Sequence, residues 1–168
     1  IATSNNLYKY SLSNNKTEKG LDLLTAVSFT SVVGYSEYIY ASSFLNGLFQ
    51  INTKTGKVKN FLKRSTNENS IIDNSITSLA INDNSLIIGN FHKGLSIINL
   101  DSFNFNLLNG TQDSLDCTQS SIFYSGLLDS DNNLWIGSSD GLVKYNVKDK
   151  KCEKINVSDD IKPVITNP

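Results

Sequence analysis

One hairpin, written four times, constrains this chain more than anything else in it. In its clearest copy, residues 133–145, Leu134-Trp135-Ile136 reads as an apolar strand, Ser138-Ser139-Asp140-Gly141 as a tight turn, and Leu142 to Tyr145 as a second strand. Two short strand patterns around a turn of this chemistry make a β-hairpin. The opening residues, Ile1 to Tyr10, lie residue for residue on Ile136 to Tyr145, with Asn6 in the place of Gly141. Asn tolerates a left-handed backbone, so the turn survives the exchange. Further copies run from Tyr38-Ile39-Tyr40-Ala41 through Gly47 to Ile51, and from Leu86-Ile87-Ile88-Gly89 through Gly94 to Ile98. The turn residues Gly47, Gly94 and Gly141 recur at a spacing of 47 residues. Strand units repeating at such a period predict an all-β propeller, one four-stranded antiparallel sheet per repeat.

Each copy extends to four strands. The last unit adds an apolar run at Ile122 to Leu128 before the hairpin and an outer strand near Cys152 to Val157; the third adds Ile76 to Ile81 and an edge strand around Phe105 to Leu108; the second adds Phe29 to Val33 and Val58 to Leu62. Superposing the units puts Asn52, Asn99 and Asn146 in one column and Val58, Phe105 and Cys152 in another. Trp135, the sole tryptophan, then shares a slot with Ile39 and Ile87, which predicts packing between blades rather than stacking on a sugar. Aligned in this way, the second hairpin is two residues longer than the fourth and the third is one longer.

The repeats span approximately residues 1–20, 28–62, 75–108 and 121–157, and 160–168 starts a next or closing blade. Ile161-Lys162-Pro163-Val164-Ile165 would supply the inner strand that the first hairpin lacks, although Pro163 counts against central pairing. The chain therefore reads as about four blades, either closed through a composite blade or open as a portion of a larger propeller. It starts without Met inside a strand motif, which suggests a segment of a longer protein.

Composition narrows the partners. A net charge of −1 with 18% charged residues gives no concentrated basic surface for nucleic acid. No apolar run approaches the roughly 18 residues of a spanning helix. One histidine, His92, leaves no second imidazole for a two-histidine metal site, and no cofactor is expected. No nucleophile–base pair or phosphate loop is visible, so the segment is read as non-enzymatic and a lyase-type propeller enzyme ranks below a binding module. Asp129, Asp131 and Asn133 alternate as in the start of a calcium loop. They lack its central Gly and distal Glu, and the turn reading outranks metal.

The stretch Leu134-Trp135-Ile136-Gly137 to Gly141-Leu142-Val143-Lys144-Tyr145, preceded by Asp129-Ser130-Asp131-Asn132-Asn133, resembles the two-component regulator propeller repeat. The resemblance is strong in the fourth unit and the first ten residues, and weaker in the second and third units, which lack the Trp. It implies an extracytoplasmic sensor domain, periplasmic or extracellular and attached to an inner-membrane protein. It also implies recognition of oligosaccharides and action as a homodimer. A protein-interaction module with no small-molecule ligand is the alternative.

The ligand-binding candidates sit where the repeats differ. The lengthened turns place Phe44-Leu45-Asn46 and Phe91-His92-Lys93 at one end of the propeller, with Asp140 on the fourth turn. Aromatic faces beside Asn46, His92 and Lys93 suit the stacking surface and hydroxyls of a carbohydrate. The competing reading makes each Phe a plug over the neighbouring blade. Cys117 and Cys152 are a candidate disulfide within one blade, worth ~3 kcal/mol in an oxidising compartment.

Overall fold

The computed structural model describes residues 2–3, 7–19, 27–65, 70–92, 94–102, 104–107, 122–139, 141–149 and 151–155. These hold fourteen strands and no helix. A first hairpin pairs β1 (Tyr8–Ser11) with β2 (Lys16–Lys19). The second blade follows as β3 (Phe29–Tyr35), β4 (Tyr38–Ser43), β5 (Leu48–Asn52) and β6 (Val58–Phe61). The third is β7 (Ile76–Asn82), β8 (Ser85–Asn90), β9 (Gly94–Asn99) and β10 (Asn104–Leu107). The fourth is β11 (Phe123–Leu128), β12 (Asn133–Ser138), β13 (Gly141–Asn146) and β14 (Lys151–Ile155). Every four-stranded sheet is an antiparallel meander in sequence order, and the inner strands β3, β7 and β11 pack side by side. This is a propeller portion.

Register repeats as faithfully as topology. Asn52, Asn99 and Asn146 close the same hairpin position, opposite Tyr38, Ser85 and Asn133. Each then caps the outer turn: Asn52 Oδ1 accepts the Lys54 and Thr55 amides, Asn99 Oδ1 those of Asp101 and Ser102, and Asn146 Oδ1 that of Asp149. These are Asx turns, which an Asn at that position builds by itself. The outer column pairs Val58, Phe105 and Cys152 with Ile51, Ile98 and Tyr145. The Ala2–Leu7 bridge stands where Gly137 pairs with Leu142, so the first hairpin follows its sequence alignment.

One expected alignment is off by a residue. The ladder pairs Trp135 with Lys144, Ile87 with Ile97 and Tyr40 with Gln50, so Tyr40 and not Ile39 occupies the tryptophan slot. The second and third turns are consequently equal. Each sets three residues between the flanking positions Ser43 and Gly47 or Asn90 and Gly94, where the fourth sets two between Ser138 and Gly141.

The core lies between sheets. One cluster joins Leu7 to Phe29, Ala41, Phe49 and Ile51 across the first seam; a second joins Tyr40 and Leu48 to Leu79, Leu86, Ile88 and Ile98; a third joins Ile87 and Leu95 to Phe123, Leu134, Ile136 and Tyr145. Polar ties cross these seams as well. The Phe29 amide donates to Thr3 O at 3.0 Å, Thr30 Oγ1 to Ile76 O at 2.7 Å, and the Leu79 amide to Ser31 Oγ at 3.2 Å. The last two start at a bulge between Phe29 and Ser31 that recurs at Ile76/Ser78 and Phe123/Ser125. A bulge turns edge groups toward a neighbour that the ladder alone would leave unpaired. Among the described residues no substantial packing joins β1 or β2 to the fourth blade. The proposed closing strand at Ile161 to Ile165 lies outside the described residues.

Candidate functional site

The three hairpin turns stand at one end because each is docked in the same way. The amides of Phe44, Phe91 and Ser139 donate to Ser28 O, Ser75 O and Ile122 O, the residue ahead of each inner strand, at 3.0, 2.8 and 3.0 Å. The second turn is braced further, by Ser43 Oγ, which accepts the Asn46 amide at 2.9 Å and donates to Gly47 O at 3.0 Å. Gly47 has φ of 73°, a left-handed conformation, and its amide donates to Asn74 O across the seam. A Cβ there would collide with the Phe61 carbonyl oxygen.

Equal turn lengths bring the two phenylalanines together. Phe44 and Phe91 sit with ring centroids 5.2 Å apart at 72°, and Phe91 meets His92 at 4.5 Å and 82°. Edge-to-face contacts at these distances are the favoured aromatic geometry. The pair spans the seam between the second and third blades, since each ring comes from a different sheet. Phe44 remains 38% exposed and Leu45 beside it 68%, so the rings cover the seam while still presenting apolar surface to water. His92 is exposed, and its amide donates to Asp73 Oδ2 at 3.3 Å. Asp73 Oδ1 accepts the Ser75 amide at 3.0 Å.

Of the residues singled out in the sequence, the structure thus gathers Phe44, Phe91 and His92, with Asn46 on the same turn as Phe44. Lys93 and Asp140 lie outside the described residues. Asp73 was missed because Asp73-Asn74-Ser75 reads as an ordinary polar loop; its position three residues before β7 is the signal that locates it beneath a turn. Cys152 is half-buried beside the third core cluster and is disulfide-bonded, while Cys117 lies outside the described residues.

The acidic turn before β12 has a different role. Asp129 Oδ2 accepts the Trp135 indole N–H at 2.7 Å, and Asp129 Oδ1 accepts the amides of Asp131 and Asn133, each at 2.9 Å. Hydrogen bonds from Trp135 first, then from Asn133 and Asp131, hold the carboxyl down to about 2. Its oxygens are engaged by N–H donors, and Asn132 supplies the left-handed turn residue with φ of 62°. Among the described residues no three His, Cys, Asp or Glu side chains converge. Trp135 itself is half-buried. Lys144 Nζ lies 5.3 Å from its ring centre, and no described blade lies beyond that face.

No protein-family model matches the chain, and no curated protein does. Solved structures do. Superposition on the extracellular domain of the hybrid two component system BT3049 from B. thetaiotaomicron covers 93% of this chain and 23% of that one, with a TM-score of 0.73 and 17% identity. The extracellular domain of the one component system BT4673 from the same organism gives 0.69 and 19% identity, over 93% of this chain and 20% of that one. The computationally designed Ika8 protein gives 0.60 at 12% identity, over 89% of this chain and 42% of that one. The chain therefore has the propeller fold of extracellular domains of two-component systems, as the repeat motif implied. It spans about a fifth to a quarter of the lengths of the two natural domains.

Proposed function

We propose that this propeller portion belongs to an extracytoplasmic sensor of a two-component regulator and recognises a glycan-derived oligosaccharide without transforming it. The observation that carries the reading is the Phe44, Phe91 and His92 cluster, built across a blade seam on a fold shared with extracellular domains of such systems. Its rings present apolar surface next to polar groups, which is what the C–H face and hydroxyls of a sugar require. The disulfide-bonded Cys152 suits an oxidising compartment. Lys93 and Asp140 would complete the polar border from the third and fourth turns. A ligand gripping both phenylalanines would pin the second blade against the third, and such a change passes onward by rigid-body movement or rearrangement of a homodimer.

Titration calorimetry of the polypeptide against a panel of neutral and uronate-containing oligosaccharides tests this. A bound member should lose at least about tenfold in affinity in the Phe44→Ala/Phe91→Ala variant, the loss of one buried stacking contact or more. Undiminished affinity in that variant, or release of a cleaved product, would overturn it.

A further inference from the structure

The side-chain oxygen of Asn90 marks, we infer, the point at which the seam between the second and third blades takes a sugar hydroxyl, which makes Asn90 a specificity-determining residue for ligands that bring a hydrogen-bond donor there. The inference rests on the oligosaccharide reading above and deepens it. Asn90 is completely buried, and its Oδ1 accepts no hydrogen bond. A buried acceptor without a donor is costly, and native interiors leave few of them. The other such atom among the described residues, the Tyr145 hydroxyl oxygen, lies in the apolar core between the third and fourth blades, on a residue at the far end of β13 from its turn.

Position aims this oxygen at the candidate site. Asn90 is the last residue of β8 and directly precedes Phe91. Side chains alternate along a strand, so Asn90 shares a face with Leu86 and Ile88, which pack against the second blade. Phe44 and Phe91 meet across the turn end of that same seam. The amide cannot be turned round. Its Nδ2 donates to Gly94 O at 3.0 Å and to Ser96 Oγ at 3.2 Å, both on β9, and a carbonyl oxygen can be met only by a donor. Oδ1 is therefore turned off β9 and into the seam.

Comparison among the blades shows that this acceptor is an addition. Ser43 and Ser138 hold the same position in the second and fourth hairpins, and their hydroxyls donate to Gly47 O and Gly141 O at 3.0 and 2.9 Å, the bond that Asn90 Nδ2 makes to Gly94 O. A serine thus suffices to close such a turn. Asn90 keeps that bond and adds an oxygen with nothing to accept. A sugar hydroxyl satisfies it, whereas a carboxylate would set oxygen against oxygen. Access needs the Phe44 and Phe91 rings to part. They come from separate sheets, and stacking of the ligand on either ring offsets the edge-to-face contact that is lost.

The test is titration calorimetry of the polypeptide with neutral xylo-, manno-, galacto- and malto-oligosaccharides and with oligogalacturonate. Asn90→Ser, the residue of the other two hairpins, is the variant, and circular dichroism matching the unaltered chain is required of it. A neutral saccharide whose binding depends on Phe44 and Phe91 should bind Asn90→Ser about three- to tenfold more weakly, the worth of one hydrogen bond. One monodeoxy derivative of that saccharide should lose the same factor with the unaltered chain and nothing further with the variant. Lost packing alone would not produce that non-additivity. Undiminished affinity in Asn90→Ser, additive losses across all the deoxy derivatives, or binding confined to oligogalacturonate would each overturn the assignment of Asn90 and leave the Phe44 and Phe91 site standing. If no saccharide depends on the two phenylalanines, both readings fall together.

Discussion

The third and fourth blades share a strand order, a register and a turn position, yet they differ on both of the surfaces where a blade meets its surroundings. In the third, β8 is apolar on both sides: Leu86 and Ile88 face the second blade while Ile87 faces the fourth. In the fourth, β12 and β13 bury Leu134, Ile136, Val143 and Tyr145 on one side, and on the other set Trp135 opposite Lys144. The turns diverge in parallel. The third blade carries Phe91 and His92 on a three-residue turn, the fourth a two-residue turn without an aromatic. Hairpin chemistry repeats because it is local; burial and turn chemistry vary because they answer to neighbours. The repeat specifies the fold, and departures from it specify what the fold contacts.

The largest effect that sharpens this contrast is expected at Ile87, packed against the fourth blade, set against Leu127 of the fourth blade, which is 70% exposed. Ile87→Ala empties a position 2% exposed and should destabilise the chain by about 2–5 kcal/mol, transfer and cavity terms together. Leu127→Ala in the 168-residue chain should stay within about 0.5 kcal/mol, since the side chain already faces water. Chemical denaturation of both variants decides the matter. Equal losses would mean that the fourth blade is covered within this chain and would remove the contrast.

The same distinction explains what could be read beforehand. The Asn52, Asn99 and Asn146 column was legible because an Asx turn is made by the residue that announces it. The outer column of Val58, Phe105 and Cys152 was legible through its fixed distance from those turns. The register of β4 was not. Tyr38-Ile39-Tyr40-Ala41 is apolar on both faces, so the alternation that would set its phase is missing. Only the ladder, with Tyr40 opposite Gln50, shows that the extra residue lies in the strand alignment and not in the turn. At the candidate site, the shared end of Phe44 and Phe91 followed from the repeat, but their contact depends on turn lengths that the slipped alignment made unequal. Asp73 carried no motif at all. The exposure of Leu127 was invisible in an apolar run that reads as buried.

An intermediate effect separates the two turn types. Gly47→Ala and Gly141→Ala both place a Cβ on a backbone at positive φ, 73° and 109°. Such a conformation costs a non-glycine residue roughly 1–2 kcal/mol. At Gly141 nothing lies within 4 Å of the added methyl, so the loss should end there. At Gly47 the Phe61 carbonyl oxygen, Ile71 and Leu62 stand in the way, and the turn must shift off the seam. The Gly47 variant should therefore melt lower than the Gly141 variant and lose the Phe44–Phe91 contact as well. Identical melting temperatures would show that the second turn is no more tightly packed than the fourth.

The smallest effect on global stability, and the most local one, belongs to Asp129. It lies at a water-accessible turn, and its counterpart in the third blade is Asn82, which carries no charge. Only the fourth blade should thus respond to acid at this position. The folded Asp129 carboxyl titrates at about 2, below the usual 3.8, so the unfolded chain takes up the proton first as pH falls. Stability from the Trp135, Asn133 and Asp131 hydrogen bonds is fully present above about pH 4 and is lost as pH falls through about 2. Trp135, the sole tryptophan and a direct partner of the carboxyl, reports this by fluorescence. Its emission should change across that window in the unaltered chain and stay flat in Asp129→Asn, whose amide carries no charge to titrate. A transition of equal size in the variant would mean that another group near the indole titrates, and the turn would then owe its acid sensitivity to something other than the carboxylate that caps it.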